Sequence, residues 1–237
     1  MKVALLECDH VAPAFRQEHG DYREMFPALF PQWEFELFDV VNGQFPRRAT
    51  DWQLYVCTGS RHSVYEDLPW IHRLKGLVQE IHRAGRSFLG VCFGHQLMAE
   101  ALGGRVGRAP QGWCVGIHTF ELLGRESWMT PFQHQLNLPM LCQDQVLELP
   151  PGSIVLARAA HCPTGMYRIG HNMLGVQAHP EFSAAYDKAV MLSRAQRIGQ
   201  EKVQAALKSF ELPIHQQLMA QWMSNFALQL MSQQPHE

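Results

Sequence analysis

The chain has 237 residues, with 20 Lys and Arg against 22 Asp and Glu for a formal net charge of −2. This near-neutral balance, with no basic run interleaved with aromatics, argues against nucleic acid as a partner. Hydrophobic residues make up 46% and charged residues 18%, which excludes a disordered or membrane-embedded chain and fits a well-buried globule. At this length an α/β chain is commonly one unit, so a single domain over 1–237 is expected.

The N-terminal MKVALLECDH has no long apolar stretch followed by a small-residue cleavage site, so it reads as a first strand rather than a signal peptide, and a cytoplasmic protein is expected. The runs KVALLEC, WEFELFDV, QLYVCTGS and SFLGVC each end at a polar or glycine-containing turn, which predicts four strands. Between the last two, Ile71, Leu74, Leu77, Val78 and Ile81 fall at spacings of three and four. That spacing predicts an amphipathic helix over Trp70–Ala84, closed by Gly85. Strand, helix, strand at this distance is a βαβ unit, so the first hundred residues predict an open, mostly parallel twisted sheet with helices on both faces.

After Leu102-Gly103-Gly104 the pieces WCVGIHTFEL, QVLEL, SIVLARA and MYRI are β-prone and punctuated by Gly and Pro. They are expected to add antiparallel strands to the sheet. From Ser183 to about 232 the pattern turns helical again. Ile214, Leu218, Trp222, Phe226 and Leu230 recur every four residues behind Pro213, ahead of a polar tail.

The six cysteines are scattered without CxxC pairs, as reduced thiols would be, and the thirteen histidines form no ligand pair at zinc-site spacing, so no metal or cofactor is expected. One cysteine stands apart. Cys92 lies where SFLGVC runs into FGHQLMAEALGG, between Gly90 and Gly94, as in a nucleophile elbow. A thiol there feels the positive end of the helix dipole, which favours the reactive thiolate. The segment alone is equally compatible with a packed thiol at a strand end.

A second segment, NMLGVQAHPEF, leads an apolar strand into His179, Pro180 and Glu181. In extended chain residues i and i+2 project to the same side, so Glu181 is placed to hold one nitrogen of His179 while the other takes a thiol proton. A strand-end histidine beside a solvated glutamate would have the same sequence. Separation along the chain is no objection, since such residues are assembled by the fold.

Together GVCFGHQ and GVQAHPEF resemble the class I glutamine amidotransferases, over about Val3 to Phe182, and most of all their free-standing, GMP-synthase-like members. The resemblance implies a flavodoxin-like α/β fold and a catalytic set of Cys92, His179 and Glu181. Cys92 would attack a side-chain amide to give a γ-glutamyl thioester. It also implies oxyanion donors at the Gly59 and Phe93 amides, and substrate contacts from Ser60, Gln96, Gln143 and Asp144. The chain reads Gly59-Ser60-Arg61 where many relatives have Gly-Gly-Pro, and Cys142-Gln143-Asp144 where many have His-Gly-Asp. For Cys142 itself the residues favour ordinary core packing. Solvated loop residues are the plainer reading of Arg61, His62 and Tyr65, with contact to a larger substrate as the other.

The expected function is therefore hydrolysis of the glutamine side-chain amide, delivering ammonia to an acceptor that this chain does not encode, with a synthetase subunit as a compatible partner. Two alternatives stay open: a γ-glutamyl peptidase using the same thioester, and a non-catalytic homologue that keeps the fold.

Overall fold

The computed structural model describes residues 1–231, with side chains described as far as Gln229. The expected contribution of Leu230, position 232 and the polar tail lie outside the described residues. Strand β1 (Lys2–Glu7) is followed by helices α1 (Pro13–His19) and α2 (Tyr22–Leu29), then by β2 (Glu34–Asp39) and β3 (Leu54–Cys57). Helix α2 starts in a capping box in which Asp21 and Glu24 satisfy one another's backbone N–H groups.

Helix α3 (Pro69–Arg83) buries Ile71, Leu74, Leu77, Val78 and Ile81, the face its spacing predicts, and ends before Gly85, whose φ is 64°. Next come β4 (Ser87–Val91), α4 (Phe93–Ala101), β5 (Arg105–Arg108), β6 (Cys114–Leu122), β7 (Gln135–Cys142) and β8 (Asp144–Glu148). Strands β9 (Ser153–Ala159), β10 (Cys162–Ile169) and β11 (Met173–Val176) complete the β structure. The helices α5 (Ala184–Ser193), α6 (Ala195–Ile198), α7 (Gln200–Ser209) and α8 (Gln216–Met231) follow. Ser183 caps α5 by accepting from the Tyr186 N–H at 3.1 Å.

Nine strands form one sheet in the order β2-β1-β3-β4-β11-β10-β9-β6-β7. The five strands from β2 to β11 are parallel, and the remaining four are joined antiparallel. The sequence predicts this mixed sheet, with one correction. QVLEL does not join it: β8 pairs with β5 in a separate two-stranded ribbon. Strand β7, unforeseen, forms an edge, where Pro139 costs no ladder bond on its open side.

Alternate residues of each parallel strand feed two cores. Val3, Leu5, Val56, Leu89 and Val91 pack on one face against α2, α5 and α8, whereas Ala4, Leu6, Tyr55, Cys57 and Phe88 pack on the other against α3 and α4. Burial on both faces is why these strands read as unbroken apolar runs. Among the described residues no helix is long and apolar enough to cross a membrane.

Candidate active site

Cys92 follows β4, and His179 follows β11 by three residues. The two strands are parallel neighbours, with Gly90 opposite Gly175 and Val91 opposite Val176. Both side chains therefore emerge at the carboxyl end of the parallel strands, the end at which open α/β sheets present their ligand crevice. The Cys92 N–H donates to the Val176 carbonyl at 2.9 Å, tying the two segments together.

Cys92 has φ 50° and ψ −98°, and among the described residues it is the only non-glycine with positive φ. A strained backbone of this kind is what a sharp strand-to-helix turn imposes. The turn depends on its glycines. A Cβ on Gly90 would lie 2.5 Å from the carbonyl carbon of Gly94, and one on Gly94 would lie 2.5 Å from the Cys57 carbonyl oxygen.

His179 is buried and stacked on Phe182, with ring centroids 3.9 Å apart. Its N–H donates to the Pro139 carbonyl at 2.8 Å, so the edge strand β7 anchors the segment. The ring's Nδ1 lies 2.8 Å from Glu181 Oε1. Burial disfavours the charged ring, but the charges of Cys92 and Glu181 and hydrogen bonds with both outweigh it, holding the His179 pKa well above the ordinary value. Cys92, His179 and Glu181 are thus brought together as the sequence predicts.

Gly59, two residues past the end of β3 at Cys57, faces the same place. A Cβ there would lie 2.8 Å from His179 Cε1 and 3.7 Å from Cys92 Cβ. Among the described residues neither the Gly59 nor the Phe93 N–H has a protein acceptor, so both are placed to donate to an oxyanion.

A cavity of about 200 Å³ opens over Cys92, and Ser60, Gln96, Gln143 and Asp144 all line it. Gln96 is less free than expected. Its Nε2 donates to the Asp144 carbonyl at 2.7 Å and to Gln177 Oε1 at 3.0 Å, so it braces the 143–144 segment. Asp144 accepts from the Ser63 hydroxyl at 2.5 Å and from the Tyr65 hydroxyl at 3.1 Å. Cys142 lines the cavity while also packing in the core, and burial pushes its thiol pKa well up.

Two acids were not foreseen. Asp9, at the end of β1, accepts from the Arg61 N–H at 2.7 Å and pairs with its guanidinium at 2.6 Å, fixing the Gly59-Ser60-Arg61 loop. Arg61 is therefore engaged by the protein rather than merely solvated. Asp187 in α5 is fully buried, neither carboxylate oxygen has a hydrogen-bond partner among the described residues, and burial raises its pKa to about 8. Its charge interactions include both His179 and Glu181. No local motif marks either acid.

Fold and site together define an α/β protein with a cysteine elbow facing a histidine–carboxylate pair. The family model described as Glutamine amidotransferase class-I matches residues 63–196. The chain is 30% identical over 206 residues to gamma-glutamyl peptidase 3 of Arabidopsis thaliana, covering 82% of this chain and 80% of that protein. It is 31% identical over 165 residues to the glutamine-hydrolysing GMP synthase of Aeropyrum pernix, covering 70% of this chain but 29% of that one. A solved glutamine amidotransferase from Thermotoga maritima shares the fold with a TM-score of 0.74 at 20% identity, over 96% of this chain and 98% of that one. The chain belongs to the class I glutamine amidotransferase family.

Proposed function

We propose that this protein hydrolyses the γ-glutamyl C–N bond of glutamine or of a γ-glutamyl compound through a thioester on Cys92. The observation that carries this reading is the strained Cys92 elbow placed against a His179 whose Nδ1 is held 2.8 Å from Glu181. In the first half-reaction Cys92 Sγ adds to the γ-carbonyl carbon, and the Gly59 and Phe93 N–H groups receive the oxyanion. Collapse breaks the C–N bond, and His179 gives its proton to the departing nitrogen. In the second half-reaction water, losing a proton to His179, attacks the thioester. The S–C bond breaks, glutamate leaves, and the thiolate is restored.

Glu181 keeps the imidazole oriented and stabilises its charged form throughout. The segment braced by Gln96, running through Gln143 and Asp144, would take the amino-acid end of the substrate. The relative named a gamma-glutamyl peptidase favours a leaving group larger than ammonia; release of ammonia would instead call for an acceptor on a synthetase subunit. The test is glutamate release from glutamine and from a panel of γ-glutamyl dipeptides, with C92S and H179A as controls. Turnover abolished in both variants is expected. Turnover that survives C92S would overturn the reading.

A further inference from the structure

We propose that Arg194 and Arg197 form a receptor for a carboxylate on the amine that leaves, so that the preferred substrates are γ-glutamyl amino acids or peptides with a free carboxyl terminus rather than glutamine. This rests on the γ-glutamyl hydrolysis proposed above and assigns the side of the cavity that reading leaves unassigned.

The departing nitrogen must take its proton from His179, so the leaving group lies on that residue's side of Cys92. From His179 the chain passes through Glu181 and the Ser183 cap into α5, and Arg194 and Arg197 follow at the α5–α6 junction. Both line the cavity that contains Cys92, and the charge of Arg194 is felt at Asp187 and Tyr186 within α5.

Arg108 apart, the cavity's other charges are already answered. Arg61 is paired with Asp9, and Glu66 is held by His62 at 2.8 Å and by the Ser63 N–H at 2.7 Å. Asp144 accepts two hydroxyls. Among the described residues Arg194 and Arg197 have no carboxylate partner, and neither does Arg108, which also lines the cavity. Arg197 is also positioned in advance, its guanidinium lying 5.6 Å from the centroid of the Trp113 ring.

Guanidinium groups without a carboxylate partner on the nucleophile's cavity suit an anion, and their planar fork matches a carboxylate. Ammonia leaving from glutamine offers them nothing. An amino acid or peptide leaving group carries its carboxylate away from the scissile bond, where these side chains stand. Arg108 lies opposite Asp144 in the β5–β8 ladder, with the segment assigned to the glutamyl end, and is not part of the receptor.

The experiment compares γ-glutamylglycine with γ-glutamylglycinamide, which differ only in that carboxylate. Wild type is expected to favour the acid in kcat/KM by about tenfold or more, as for a charge-assisted contact. R197Q and R194Q should each collapse that ratio towards one, and R197K should restore part of it, because lysine keeps the charge without the fork. General damage to the fold lowers both substrates and leaves the ratio unchanged, so it cannot imitate this result. A wild-type ratio near one, or variants that keep the wild-type ratio, overturns the receptor while the hydrolytic reading stands. Absence of turnover on glutamine and on both γ-glutamyl compounds overturns the two together.

Discussion

At the residue scale the reading turns on how a carboxylate and a thiol share one imidazole. Glu181 Oε1 lies 2.8 Å from His179 Nδ1 in a buried setting, so E181Q should lower the His179 titration midpoint, observable by NMR of the ring. It should also reduce kcat by about 10²-fold or more, as when an orienting acid is neutralised. Asp187 gives a second pH dependence. Its pKa of about 8 in the fold exceeds that of an unfolded aspartate, so ionisation disfavours the folded state progressively as pH rises between those values. D187N should therefore stabilise the protein more at pH 8 than at pH 5, with a slope of at most about 1.4 kcal/mol per pH unit for one proton. Thermal melts across that range would show it; an equal effect at both pH values would mean that Asp187 is not held neutral.

The same scale separates what the sequence makes legible from what it hides. Cys92 between two glycines and His179 two residues before Glu181 are local patterns with a mechanical meaning, so their grouping could be anticipated. Asp9 and Asp187 gain their places from burial by distant elements, which no window of sequence contains. Arg194 and Arg197 look like ordinary helix-surface arginines until the fold sets them on the cavity that also holds Cys92.

At the element scale the strand-to-helix turn is held by glycines that answer for different properties. G90A and G94A would each drive a Cβ to 2.5 Å from backbone atoms, so they should destabilise by about 1–3 kcal/mol or more, as overpacking does. G59A meets instead the His179 ring at 2.8 Å, and it should reduce turnover out of proportion to any change in melting temperature. Paired melts and kinetics on the three variants check this; equal ratios of activity loss to stability loss would contradict it. Elements with one clear period, such as α3 and the first four strands, were legible. Strand β7 was not, because Pro139 disguises an edge strand, and α1 and α2 were hidden by their short length and by Pro27 within α2. Which neighbour β8 would choose depends on β5, a four-residue strand with little pattern of its own.

At the scale of the whole molecule the parallel half of the sheet builds the site and the antiparallel half supports it. Strands β3, β4 and β11 deliver Gly59, Cys92 and His179 at one edge, and β7 reaches back through Pro139 to hold the base. This division explains why two motifs far apart in the chain could be read as one site: the parallel register places their strands side by side. It also leaves two thiols, Cys92 and Cys142, on one cavity, of which only the first is paired with His179. The most direct measurement is the intact mass and peptide map of the protein after treatment with a diazo-ketone analogue of glutamine. A single adduct on Cys92, absent in C92S, is the predicted result; labelling of Cys142 instead, or no adduct at saturating reagent, would contradict the account.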